Sequence, residues 1–563
     1  MFKKVQVFLV LVFLSFFLFS CGPSQQDKEK VVPTTNKYED LVSLYKEFRD
    51  FLKPKIKNGV PDYTASAMEK QYRGLKDLQQ RLAAIDPGGW PISQKIDYLL
   101  VWAEMNGFDF FHRVLRPWSR DPCFYLISQR GDGPTMYSSL RFPRRLPLSA
   151  EKLASFKAGL QAVPAIFSQG KKNLTEVAGD LATIAIWGAK EEAQLYDEII
   201  DRVSDHHPEL IEDIKQAKAA VEDYTKWLEE NKDKWTAPAG VGKENYNWLL
   251  KNVYLMPLTW EKCKDAVLHE DYRVVSFLKL EENRNKNLPP LKYVSSAEEY
   301  RQSVYSSLDS VMKFIREHKI FTLQDYLEVE SYKKARENEL AKPWPKVPNY
   351  IPDYFFNFSF RESLPEETHE CIGHYFDELR LEHDKRPIRG MRRLFNVDET
   401  RSEGFAFGLE ELLMHAGYLD HRPRRSREIV YLQAAFRSCR AMADLRMHSH
   451  EYDLEKAIEF CIGCAPRGDL LKGSHHLMYE MATTLRFVGW HMRMVVGKVR
   501  FMQLMRDVAR QEGDKFILCQ FMDKLLEEGM VPFTLSRWEM TGKDDEIRQI
   551  LADYPQLLEK MLK

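Results

Sequence analysis

The sequence predicts an all-α, mainly helical protein, and three observations carry that expectation. Apolar residues recur at helical spacing along most of the chain. Serine or threonine followed three residues later by an acid, as in Ser296 with Glu299 and Thr322 with Asp325, marks helix starts. Proline and glycine clusters divide the chain into long amphipathic segments, and only one stretch runs at the period of two that a strand needs.

The chain opens MFKK and continues VQVFLVLVFLSFFLFS into Cys21 and Gly22. A basic start before a short apolar core describes an export signal, and Leu18-Phe19-Ser20-Cys21 has the form of a bacterial lipoprotein cleavage box. The rival reading is a single membrane-anchoring helix, because the apolar run nearly reaches spanning length. On the lipoprotein reading residues 1–20 are removed and Cys21 becomes the lipid-bearing N-terminus. Gly22, rather than aspartate, after that cysteine goes with the outer membrane of a diderm cell. Residues 21–37, polar and proline-bearing, read as a flexible stalk before a helical region spanning 38–563. Loss of Lys3 and Lys4 moves the net charge from −1 to about −3, and no basic run is dense enough for nucleic acid.

The first helical stripe, Leu41, Leu44, Tyr45, Phe48, Phe51 and Leu52, follows at once. Long amphipathic segments are expected over 186–235, 295–318, 427–448, 475–510 and 515–529, separated by breakers such as Leu288-Pro-Pro and Pro343-Trp-Pro-Lys-Val-Pro. Cys461 and Cys464 are close-spaced but lack the second pair that a four-cysteine zinc site requires. Residues 354–360, YFFNFSF, set Phe356, Phe358 and Phe360 against Asn357 and Ser359 and predict a strand, either an edge that holds a peptide or an ordinary core hairpin.

Just beyond lies EETHECIGHYF, residues 366–376. A metal hydrolase needs three protein ligands and a carboxylate to take a proton from water. His369 and His374 offer imidazoles and Glu370 offers the base, but five residues put the histidines about 140° apart on an α-helix. Either the helix is broken here or the stretch binds no metal. Glu403, in RSEGFAFGLEELL, begins a helix rich in apolar and small residues. It is a candidate third ligand, or a carboxylate that favours the helix dipole.

These stretches together resemble the bacterial family called domain of unknown function 885, which is similar to helical zinc peptidases of the gluzincin type such as thermostable carboxypeptidase Taq and neurolysin. The family's His-Glu-x-x-Pro-Gly-His is met by HECIGH, and its Glu-Gly-Trp-Ala-Leu-Tyr-Ala-Glu by EGFAFGLE from Glu403 to Glu410. DLRMHSHEY puts His448 on the family histidine, and LRPWSRDPCFYL, GKENYNWLLKNVYLMPLTWEKC and DKLLEEGMVPFTLSRW extend the likeness over roughly residues 40–540. The resemblance implies two helical lobes around a deep cleft. It also implies zinc on His369, His374 and Glu403, Glu370 as the base, His448 as a stabiliser of the oxyanion, and a short peptide as substrate.

Two departures leave a second outcome open. The Pro is missing and the loop is one residue shorter. A gapped alignment keeps His369, Glu370 and His374 in role; an ungapped one puts Thr368 at the first ligand and His369 at the base. In VGWHMRMVVG, Gly489 and Gly497 set a register with Met494 at the family Tyr and Val495 at the family Lys, and Met cannot donate a hydrogen bond. The expectation is a lipid-anchored zinc peptidase. The alternative is a degenerate member that binds a peptide or partner without turnover.

Overall fold

The structure, a computed structural model, describes residues 34–128, 135–137, 140–143, 146–340, 354–468 and 470–563. The signal segment, Cys21, most of the stalk and the Pro343–Pro348 breaker lie outside them. Among the described residues the only strands are the two-residue pair Ile56–Lys57 and Val60–Pro61, and all other regular structure is helical. No described helix is long and apolar enough to cross a membrane.

Periodicity locates the helices well where one face is apolar. Tyr38–Phe51 buries Leu41, Leu44, Tyr45 and Phe48. Ala297–Glu317 starts at Ser296, whose hydroxyl accepts the Glu299 N–H at 3.1 Å. Ser426–His448 and Leu518–Glu528 match two further expected segments closely. Two others break. The 186–235 segment splits into Gly179–Val203 and Ile211–Asn231 around Pro208, which has no N–H to continue a helix. The 475–510 segment splits into His475–Arg486 and Trp490–Glu512 at Gly489, whose φ is +79°. Thr322 caps no helix; its N–H and hydroxyl both bond Asp523 at 2.7 Å.

The expected strand at 354–360 is instead a short helix, Tyr354–Ser359. The alternation indicated a strand only if Asn357 and Ser359 face water, and both are buried. Asn357 Oδ1 accepts from the Tyr293 hydroxyl at 2.6 Å and from Arg361 at 3.0 Å. With no solvent-facing side, the period of two has no physical basis here, and the edge-strand role goes with it.

Buried apolar side chains from Leu41 to Met561 form one continuous core. Within it the helix Glu399–Ala416 is packed between two neighbours at backbone distance. A Cβ on Gly404 would sit 2.3 Å from the Gly497 carbonyl carbon, and one on Gly373 would sit 2.5 Å from Ala406 Cβ. The small residues of EGFAFGLE therefore permit close approach to Trp490–Glu512 on one side and to residues 368–375 on the other. A buried ionic network locks the same helix. Lys498 Nζ donates to Glu270 at 2.7 Å and to Glu411 at 2.5 Å, and Arg273 donates to both acids at 2.8 and 2.6 Å.

Burial alone would raise the Glu411 carboxyl. The Arg273 hydrogen bond and the Lys498 and Arg273 charges outweigh it and hold the group well below the usual carboxylate range. A depressed folded value stabilises the protein above the unfolded pKa of about 4.3 and loses that contribution as pH falls through the folded value. Glu411→Gln should therefore cost about 3–5 kcal/mol at pH 7, because it leaves buried cations short of a partner. Urea unfolding should also show a shallower pH dependence below pH 5 than in the wild type; equal slopes would contradict the network's role.

Candidate metal centre

The five-residue spacing of the two histidines is resolved by a π-helix, Thr368–Tyr375. In a π-helix each N–H bonds the carbonyl five residues back, so positions five apart lie one above the other, as positions four apart do in an α-helix. His369 and His374 consequently face each other, with their Nε2 atoms 3.1 Å apart. The segment leaves α geometry, as metal binding would require, but it does so by widening its turn rather than by breaking. Gly373 makes room: any side chain there would strike Ala406 of the neighbouring helix.

That neighbouring helix carries Glu403 to the same point. Its Oε2 lies 3.7 Å from His369 Nε2 and 3.6 Å from His374 Nε2. Two zinc ligands at 2.0–2.1 Å in tetrahedral array stand about 3.3–3.4 Å apart, so edges of 3.1, 3.6 and 3.7 Å fit that ion's ligand triangle. Glu403 Oε2 is buried and accepts no hydrogen bond within the protein. A carboxylate oxygen in that position calls for a cation. Among the described residues these three form a cluster whose ligand atoms all lie within 4.8 Å of one another, close enough to share a metal.

The groups behind the ligands fix their orientation. Glu410 Oε1 stands 2.8 Å from His369 Nδ1, which leaves Nε2 with its lone pair toward the centre. Arg437 holds Glu410 in turn, at 2.9 and 3.0 Å. His374 Nδ1 pairs with the Ser402 hydroxyl at 3.2 Å. Burial would drive both imidazoles neutral, but the Glu403 and Glu410 carboxylates beside His369 outweigh it and hold that ring up at about 10. The Glu403 charge likewise raises His374, and the two histidines hold Glu403 well below the usual carboxylate range. The atoms that hold these protons are the ones for which a metal ion would compete.

A cavity of about 540 Å³ opens beside the triad, a size suited to a small ligand. Glu370 lines it, adjacent in sequence to the first histidine, and so do Met494, Arg437 and Arg440. A second cavity of about 600 Å³ adjoins it through Asp377, Leu381 and Met530. Glu366 lines the first cavity too, raised to about 7 by burial and by the nearby Glu370 charge.

The structure brings together His369, Glu370, His374 and Glu403, but it does not bring His448 to them. That residue sits at the far end of Ser426–His448, fully buried, with Nε2 donating to the Thr484 carbonyl at 3.0 Å. Burial pushes its imidazole down to about 4, so it stays neutral. The DLRMH stretch has a structural task instead. Asp444 accepts the N–H groups of Gly489, His491 and Met492 at 3.0–3.2 Å and caps the helix that carries Met494. Thr368, the ligand in the ungapped alignment, bonds the Leu364 carbonyl at 2.8 Å and does not line the cavity. Glu410 and Arg437 were not singled out by sequence. Glu410 falls seven residues after Glu403, two helical turns along the same face, and that spacing is the signal that could have found it.

No curated protein matches the chain. Two solved structures resemble it: a candidate lipoprotein of unknown function from Shewanella oneidensis and a candidate lipoprotein from Colwellia psychrerythraea. The first has TM-score 0.66 and 14% identity, over 90% of this chain and 100% of that one. The second has TM-score 0.65 and 15% identity, over 90% and 98%. At such identities the likeness establishes the fold alone. A family model described as bacterial protein of unknown function (DUF885) matches residues 49–540, and the chain belongs to that family.

Proposed function

We propose that the protein is a zinc-dependent peptidase acting on short peptides, anchored to the bacterial envelope through a lipid on Cys21. The observation that carries this reading is the ligand triangle of His369, His374 and Glu403, backed by Glu410 and opening on a cavity that Glu370 lines. A zinc ion held by those three side chains supplies Lewis-acid polarisation of a carbonyl and of water. Glu370 takes the proton of the attacking water on its carboxylate and delivers it to the leaving amine. Glu410 keeps the His369 proton on Nδ1, and so keeps Nε2 a ligand. In this reading the donor role expected of His448 falls to Arg440, a cation of the cavity wall whose guanidinium is paired with Glu480. The anchoring element of the proposal rests on the Leu18-Phe19-Ser20-Cys21 box, and both structural neighbours are described as candidate lipoproteins.

One observation favours a second reading, a binding protein without turnover. Met494 occupies the cavity wall where the family motif has a hydrogen-bond donor, and its Sδ contacts Arg440 at 3.9 Å.

Metal analysis separates the two. Purified wild type should carry one zinc per chain, and saturating metal at about 100 times its dissociation constant should add about 2.7 kcal/mol of stability. Glu403→Ala should lose both the metal and the thermal shift. Glu370→Gln should keep the metal while peptide hydrolysis falls about 100-fold or more. A zinc-free wild type would remove the catalytic reading. Arg440→Ala should lower kcat with little change in KM, whereas His448→Ala should lower stability rather than kcat; the reverse pattern would return the donor role to His448. Cys21→Ala should abolish palmitate incorporation, and labelling that does not depend on Cys21 would end the lipid-anchor claim.

A further inference from the structure

We propose that the protein selects peptides carrying a phenylalanine- or leucine-sized side chain, which an apolar recess beside the triad cavity takes up. The proposal rests on the peptidase reading above and adds the side chain that the site prefers.

The recess has a volume of about 180 Å³. Phe110, Phe111 and Leu115 line one side of it, where the helix Ile92–Phe110 runs into the π-turn Phe111–Leu115. Leu249, Val253 and Phe487 line the other sides. Two polar groups of the wall are spent on partners of their own. The Tyr254 hydroxyl donates to the Val488 carbonyl at 2.6 Å, and Arg486 donates to Asp121 at 2.7 Å. Such a lining favours apolar atoms and penalises a charge. An apolar cavity of about 150 Å³ takes a benzene molecule, so this recess has room for a single phenyl or isobutyl group.

Its place beside the triad cavity names the occupant. Asn396 lines both spaces. Trp490 of the cavity wall stacks on Phe487 of the recess wall, with ring centroids 5.2 Å apart. Backbone strain marks the junction. Phe395 and Asn396 are both left-handed, with φ of +56° and +58°, a conformation that is costly for a bulky residue and persists where its surroundings enforce it. Here Phe395 is pressed on the backbone of Gly107, where an added Cβ would lie 2.4 Å from its own. The Asn396 carbonyl accepts Arg493 Nη1 at 2.9 Å. The Arg493 guanidinium, fully buried, also lies 4.4 Å from the Tyr254 ring centre and 5.6 Å from that of Trp490, and so ties the wall of the recess to the wall of the cavity. Around the triad the cavity wall is mostly charged, and Trp490 is its largest apolar side chain. A peptide bound there therefore meets apolar surface on the Trp490 side, and the recess lies next along it.

The test uses the zinc-loaded full-length protein and alanine-rich peptides in which one phenylalanine or leucine is moved through each position in turn. At one position that residue should raise kcat/KM about ten- to 100-fold over alanine, the scale of burying one such side chain. Leu115→Trp, which fills the recess from its half-buried rim, should shrink that ratio several-fold. Folding is checked by circular dichroism, and the smaller Leu115→Phe takes its place if the indole prevents folding. Equal cleavage at every position overturns the recess while leaving the peptidase reading intact, and so does a preference that the filled variant leaves undiminished. If no peptide is cleaved, the peptidase reading fails by itself, and calorimetry of the phenylalanine and alanine peptides on wild type and filled variant decides. Tighter binding of the phenylalanine peptides that filling removes upholds the recess; equal or absent binding, or a difference that survives filling, overturns it.

Discussion

The candidate centre depends on one backbone constraint: imidazoles five residues apart must meet at a point. An α-helix forbids this and a π-helix permits it, so the widened turn at 368–375 is what turns HECIGH into a ligand pair. A π-turn is less favourable than regular helix and persists where its surroundings over-determine it. Here they do. Gly373 lies against Ala406, the His369 ring is held by Glu410, and the His374 ring is held by Ser402. All three of those contacts come from a single helix, Glu399–Ala416, which also delivers Glu403, the third member of the candidate triad.

That helix carries an unusual electrostatic load. Glu403, Glu410 and Glu411 are all buried on it, and each needs a cation at hand. Glu411 has Lys498 and Arg273, and Glu410 has Arg437. Among the described residues Glu403 has the two imidazoles of the candidate triad. Successive faces of one helix thus serve different ends: one toward the triad, the next toward a neutral buried network, with Gly404 and Gly408 between them for close packing. The geometry of the centre and the stability of the core are therefore not separable. Loosening Lys498 would move the helix that positions Glu403.

How much of this was legible in the sequence differs by scale. Helical content was, because burial of one face imposes a period that short breakers do not hide. Helix ends were less so: Pro208 and Gly489 were visible as residues, yet flanking apolar stripes on both sides masked the breaks. The strand expected at 354–360 failed because buried polar residues mimicked alternation with solvent. In the site, His369, Glu370, His374 and Glu403 were legible as chemistry but not as geometry, since nothing in a five-residue spacing announces a π-turn. That Arg440 and Glu366 line one cavity was not legible at all, because it arises from which helices the fold places opposite one another.

His448 illustrates the limit of reading roles from motifs. The Asp444–His448 stretch aligns with a site motif, and in space it does support the site, but from behind. Asp444 caps the helix of Met494, and the His448 carbonyl receives the Gly242 N–H at 2.9 Å. A stretch can stay tied to a centre by holding the backbone of a lining helix, without offering a side chain to the reaction. The same logic bears on the missing proline. In the motif with Pro-Gly, an irregular loop brings histidines six apart together; here one residue fewer and no proline allow a continuous π-turn to bring histidines five apart together. Loss of the motif's letters is thus a weaker argument against metal binding than loss of the buried carboxylates Glu403 and Glu410 would be.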